Sequence, residues 1–217
     1  FRRQRQMCIR DRLYTQRYDK NFIEIQDFGN ETVFKTLKKK GKNKLSYFNR
    51  IIKLLIQIQS IKHRKVKNFR NQNYIIPKYD KKILINEANL FCDWYAKNNL
   101  SKLRKKRFCK KFKKIIKELT LKLKLKDNIF VHRDFHVSNL MSVKNQIGLI
   151  DSQDALIGNK AYDLASLIDD VRLKTSYSFK EKIFKFYIKK QKNLDIKKFK
   201  NDFEILSVLR NLKIIGI

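Results

Sequence analysis

The chain has 217 residues, 42% of them hydrophobic and 12% aromatic, enough to bury a core and to exclude compositional disorder. It contains no run of about 18 apolar residues that would cross a membrane, and Cys8, Cys92 and Cys109 have neither metal-ligand spacing nor the even count of a disulfide framework, which points to a reducing cytoplasm. The net charge of +33 invites nucleic acid as a partner, but residues 127–175 hold five Lys/Arg against seven Asp, a net −2, so nucleic acid is not expected at the functional centre.

Phe1 to Arg12 shows no useful period and reads as translated read-through, set aside from the fold. Phe22 to Phe28 alternates as a strand and ends at Gly29. Leu45 to Gln59 carries apolar residues at helical spacing and predicts a core helix. Lys62 to Tyr74 reads as a basic loop, and Pro77 opens a new segment. Ile83 to Asn98 is amphipathic, with Glu87 on the same face as Ile83, Leu90 and Trp94. A carboxylate is unexpected there: it either pairs with a lysine or reaches the hydroxyls of a substrate. Ser101 is placed to cap a very basic helix running to about Lys124, whose lysines form a solvated face.

Asn128 to His132 predicts a strand leading into Val131-His132-Arg133-Asp134-Phe135-His136-Val137-Ser138-Asn139, with Asp151 twelve residues further on. The spacing from Asp134 to Asn139 is that of a kinase catalytic loop, His-Arg-Asp, four residues, then Asn. Phosphoryl transfer needs an acceptor hydroxyl aimed at the γ-phosphate and a divalent cation to offset charge on its oxygens. Asp134 suits the first task, and Asn139 and Asp151 suit the second as oxygen ligands of Mg2+. Leu140 to Val143 and Ile147 to Ile150 flank the polar turn Lys144-Asn145-Gln146. Asn139 and Asp151 each lie six residues from Asn145, so a hairpin centred there sets them side by side. An isolated His-x-Asp is common; the ordered conjunction of loop, hairpin and second carboxylate is what carries weight.

Asn159 to Leu173 is expected to form a helix with Asp163 in its first turn, and Asp169 and Asp170 read as surface acids. Ser178 with Glu181 predicts a capping box for the next helix, and a last helix begins near Asp195. Asn211 to Ile217 stops inside that helix, so the chain reads as truncated at both ends.

Residues 130–172 resemble the aminoglycoside phosphotransferase and choline kinase family, which shares the protein-kinase-like fold. Ile150-Asp151-Ser152-Gln153-Asp154-Ala155 and Ala161-Tyr162-Asp163-Leu164-Ala165-Ser166-Leu167 are similar to one branch, the bacterial anomeric kinases of N-acetylmuramate and N-acetylglucosamine. That branch usually reads Asp-Phe-Gln-Asp-Ala; here Ser152 replaces Phe. Leu90-Phe91-Cys92-Asp93-Trp94-Tyr95 resembles its helical region lining the sugar pocket. The likeness extends over about residues 22–217 but is dense only from 130 to 172.

The resemblance implies an α+β, protein-kinase-like fold, mostly the helical C-terminal lobe over residues 30–217, with a catalytic β-hairpin and the N-lobe largely missing. It implies a hinge strand at 22–29, in which the backbone of Gln26, Asp27 and Phe28 would bond adenine. Asp27-Phe28-Gly29 also imitates the kinase metal tripeptide, but precedes the catalytic loop and is a decoy. His132, Arg133 and Asp163 would support the loop, Asp163 by accepting backbone hydrogen bonds. Glu87, His136, Gln153 and Asp154, with Ser138, are candidates for contact with the acceptor. ATP and Mg2+ are the implied cofactors, and an amino sugar is the implied substrate, in cell-wall sugar recycling. Choline, homoserine or an aminoglycoside are alternative acceptors on the same fold; a basic RNA-binding protein and a pseudokinase scaffold are readings of other classes. None of the five glycines forms a phosphate-covering loop ahead of the hinge, so this stretch of chain is expected to bind nucleotide poorly and transfer phosphate negligibly.

Overall fold

Side-chain oxygens one residue ahead of an apolar face start most of the helices. Thr32, Asn43, Asp80, Ser176 and Asp195 each accept a hydrogen bond from the backbone amide three residues on, satisfying a donor that the first helical turn leaves free. In a computed structural model, which describes residues 9–10, 13–17, 20, 22–39, 43–67, 71–144 and 146–216, they open α1 (Val33–Lys38), α2 (Lys44–Gln59), α3 (Lys81–Leu90), α7 (Tyr177–Lys189) and α8 (Ile196–Ile215). A π-helical segment, Phe91–Tyr95, prolongs α3 into the short α4 (Ala96–Asn99). The basic helix α5 (Lys102–Leu121) ends three residues before the expected Lys124, and Ser101 precedes it without a side-chain cap. The amides of Lys124 and Leu125 turn instead to the buried carboxylate of Asp202 on α8, at 2.8 Å each.

The strands are short and sit in small sheets. Strand β1 (Ile9–Arg10) runs parallel to β8 (Gln146–Leu149), which pairs antiparallel with β7 (Leu140–Val143). Two residues of the segment set aside on sequence therefore join the sheet; residues 1–8 and 11–12 lie outside the described residues. The expected strand at the hinge is β3 (Phe22–Ile25), antiparallel to β2 (Leu13–Arg17). The predicted basic loop at 62–74 is instead a hairpin of β4 (Lys65–Lys67) and β5 (Asn73–Ile75). Its described residues are exposed on both faces, so no apolar alternation marked them as strands.

Strand β6 (Asp127–Val131) pairs antiparallel with β9 (Leu156–Asn159), and α2 packs behind β6 and β8. Asn159, expected to begin a helix, ends β9. Its side chain accepts from the Ala161 amide, so α6 starts later and is shorter, Tyr162–Ile168. The core joins Ile51, Ile52 and Leu55 of α2 to Val131, Phe135, Leu140, Leu164, Leu167 and Leu206, all nearly inaccessible. One cap differs from the expected box. Ser176 caps α7 through the Phe179 amide at 3.2 Å, and Ser178 lies inside the helix.

Candidate active site

The loop 132–139 leaves β6 and returns as β7, and its backbone is held from several sides. Asp163, fully buried on α6, accepts from the amides of His132 at 2.8 Å and Arg133 at 3.1 Å. Burial pushes the Asp163 carboxyl up to about 7, against the pull of those two amides. His132, itself buried, meets the Ile150 carbonyl through Nε2 at 3.1 Å, which ties the loop to the end of β8. Asp170 is no surface acid: it is 5% exposed, accepts from the Val137 amide at 3.2 Å, and pairs with Arg172. On the other flank the Phe34 amide donates to the Val137 carbonyl at 3.0 Å.

The hairpin of β7 and β8 brings the polar ends of the loop together. Leu140 is opposite Leu149, and the Ile150 amide donates to the Asn139 carbonyl at 3.1 Å. Asn139 Nδ2 then lies 3.1 Å from the Asp134 carbonyl and 3.4 Å from Asp151 Oδ2. Arg133 (φ 74°) and Asp151 (φ 68°) both sit in the left-handed region, where a non-glycine residue is held only by its surroundings. Asp151 is exposed, and Gln153 Nε2 donates to its Oδ1 at 2.5 Å. Asp134 and Asn139 are half-buried.

The acceptor candidates separate. Gln153 and Asp154 are exposed beside Asp151, and the Asp154 carbonyl accepts from Arg133 Nη1 at 3.4 Å. His136 is buried, and burial, followed by nearby Arg172, pushes its imidazole down to about 4, so the ring is neutral. Glu87 pairs with a lysine, Lys213 at 3.1 Å, and also with Arg133 at 2.6 Å, while the Tyr79 hydroxyl donates to its second oxygen. Sequence reasoning missed Tyr79, Lys213 and Asp170. Only Asp170 carried a signal, its seven-residue spacing from Asp163 toward the same loop. Gln26, Asp27 and Phe28 follow β3 as irregular backbone. Asp27 accepts from the Gly29 amide at 2.6 Å, and the Phe28 ring covers Gly148 of β8.

Small sheets leading into a braced His-Arg-Asp loop, a β-hairpin and a helical body make up the C-terminal lobe of a protein-kinase-like fold. The chain belongs to the phosphotransferase enzyme family, whose model matches residues 39–194. It is similar to the N-acetylmuramate/N-acetylglucosamine kinases of Neisseria meningitidis serogroup B (26% identical, covering 92% of this chain and 59% of that one) and Pseudomonas aeruginosa (27%, 95% and 60%). The chain thus spans about 60% of the length of these curated relatives. Among solved structures, an ADP-bound aminoglycoside phosphotransferase superposes with a TM-score of 0.58 at 15% identity, covering 97% of this chain and 79% of that one. Plasmodium vivax ethanolamine kinase gives 0.60 at 14% identity, with 94% and 60% covered.

Proposed function

We propose that this chain carries the catalytic lobe of an ATP-dependent kinase of a small molecule, acting on the anomeric hydroxyl of an N-acetyl amino sugar. The observation that carries the reading is that Asn139 Nδ2 lies 3.1 Å from the Asp134 backbone carbonyl and 3.4 Å from Asp151 Oδ2, so the loop and the end of the hairpin meet at one residue. Asp134 accepts or orients the proton of the acceptor hydroxyl. The amino-sugar acceptor rests on the two curated relatives, which are named for it.

The donors present fit a magnesium ion. Asn139 turns its amide nitrogen to the Asp134 carbonyl, leaving its oxygen for a cation, and Asp151 adds an exposed carboxylate. No group of three or more His, Cys, Asp or Glu able to hold a metal occurs among the described residues. Mg2+ takes one or two protein oxygens and completes its shell with phosphate and water. When bound, the ion neutralises charge on the transferring phosphoryl oxygens. Asn139 and Asp151 would hold it; the backbone at 26–28, alongside β8, would take the adenine. The cytoplasm, where ATP is available, is the compartment this activity requires, and no helix among the described residues is long and apolar enough to cross a membrane.

The test follows ADP release by the complete protein with N-acetylglucosamine, N-acetylmuramate, choline and kanamycin as separate acceptors, beside Asp134→Asn. Release with the amino sugars alone, lost in the variant, is the expected result. Release with another acceptor moves the substrate, and release that survives in Asp134→Asn overturns the assigned base.

A further inference from the structure

Glu87 lies on α3, 46 residues before the loop it touches. We infer that it is a positioning residue for that loop: its carboxylate locks the Arg133 guanidinium and, through Arg133, fixes the direction of the neighbouring Asp134. The inference rests on the reading of Asp134 as the group that handles the acceptor proton.

Arg133 is gripped at both ends. Its backbone, at φ 74°, is held by the Asp163 carboxylate through the amide at 3.1 Å. Its guanidinium is held by Glu87 at 2.6 Å and faces the Tyr79 ring at 5.5 Å. A strained, left-handed residue keeps its conformation only where the surroundings over-determine it, and here the surroundings are two carboxylates on two helices. The side chains of Arg133, Glu87 and Lys213 are 21%, 14% and 16% exposed, so solvent screens their pairing little.

Glu87 accepts three hydrogen bonds. One oxygen accepts from both Arg133 and Lys213, and the other takes the Tyr79 hydroxyl. Burial, then Tyr162 and Glu87 beside it, push that hydroxyl well above its usual pKa, so it remains a donor. Three donors already occupy three of the roughly four acceptor positions of this carboxylate, which leaves little of it for the hydroxyls of a sugar. The alternative left open by the sequence, contact with the acceptor, gives way to a structural link in which α3, α8 and the loop meet on one group.

The experiment is steady-state kinetics of Glu87→Gln in the complete protein, with the acceptor that supports ADP release in the wild type. Glutamine keeps the size and one acceptor oxygen but removes the charge that holds two cations. The expected result is a kcat reduced about 10- to 100-fold, as for a small misplacement of a reacting group, with the KM values for acceptor and ATP changed by less than about threefold. Glu87→Gln combined with Arg133→Met is expected to be no slower than Arg133→Met alone, because both cut the same link. A raised acceptor KM at unchanged kcat would overturn the inference in favour of acceptor contact. A lower melting temperature with unchanged kcat and KM would overturn it in favour of a merely structural pair. If Glu87→Gln does not fold, Arg133→Met reads the same kcat-against-KM split from the loop side. A wild-type protein that releases ADP with no acceptor removes the phosphotransfer reading itself, an outcome separate from any behaviour of the variants.

Discussion

Asn139 and Asp151 are twelve residues apart in sequence, yet Nδ2 of one lies 3.4 Å from Oδ2 of the other. The register of a single hairpin produces this: Leu140 pairs with Leu149, and the next bond, Ile150 amide to Asn139 carbonyl, closes the ladder at the mouth of the site. The placing of Asn139 beside Asp151 is thus set by two strands of four residues each.

The two aspartates should fail differently. Asp134→Asn is expected to lower kcat by about 10²–10⁴-fold, the usual contribution of a positioned general base, with ATP affinity nearly unchanged. Asp151→Asn is expected to abolish magnesium-dependent nucleotide binding. Nucleotide titrations with and without Mg2+, beside single-turnover rates, separate the two.

Stability against pH should reveal two buried groups that oppose each other. The Asp163 carboxyl, raised to about 7 from 3.8, holds a proton in the fold that the unfolded chain has released, so its stabilising contribution falls as pH rises from 4 to 7. The His136 imidazole, lowered to about 4 from 6.5, stays neutral in the fold where the unfolded chain is protonated. Its contribution therefore rises with pH over 4 to 6.5, and His132, also lowered by burial, shares that sign. In urea titrations, Asp163→Asn should leave stability climbing by on the order of 2 kcal/mol across this window, and His136→Asn should leave it falling. Unchanged slopes in both variants would refute the assignment.

Asp202 should be among the costliest single positions. Its inaccessible carboxylate accepts from the amides of Lys124 and Leu125 and from the side chains of Asn159 and Asn201, joining the end of α5, the end of β9 and α8. Asp202→Ala leaves these donors unmet and is expected to cost roughly 3 kcal/mol or more in chemical denaturation.

Gly216 closes the far end of α8 against α3. A Cβ there would lie 2.5 Å from the backbone of Leu90 and Phe91, which cannot move aside as a side-chain tip would. Gly216→Ala is expected to destabilise by about 1–3 kcal/mol, as overpacking does, and to show as a lower melting temperature.

How much of this was legible depended on sequence distance. Asn139 and Asp151 fall at the two ends of one hairpin, so spacing alone described their nearness. The brace from Asp163 came through resemblance rather than pattern. Glu87 with Arg133 and Lys213, and Asp170 with Val137, are pairings between distant segments that leave no local period. Ser178 satisfied the spacing of a capping box with Glu181, yet Ser176 took the cap, because which serine precedes the first helical turn depends on where the chain enters the fold. Asn159 read as a helix start because Ala161 to Ile168 is apolar at helical spacing, while its partner strand β6 is 28 residues upstream.

The stitching beyond the hinge has a mechanical consequence. The Glu31 carbonyl receives the Ser142 amide at 2.7 Å, Thr32 bridges to Met141, and the Phe34 amide reaches Val137, so residues 31–34 are fastened to the loop and to β7. Upstream, β2 and β3 bond to each other. The chain is tied to the β7–β8 hairpin again ahead of β2, where β1 bonds to β8, so the β2–β3 pair is held to it at both ends. Gly29, at φ 71° with its amide bonded to the Asp27 carboxylate, makes the left-handed turn that carries the chain from β3 to this stitched segment, a conformation glycine adopts without cost.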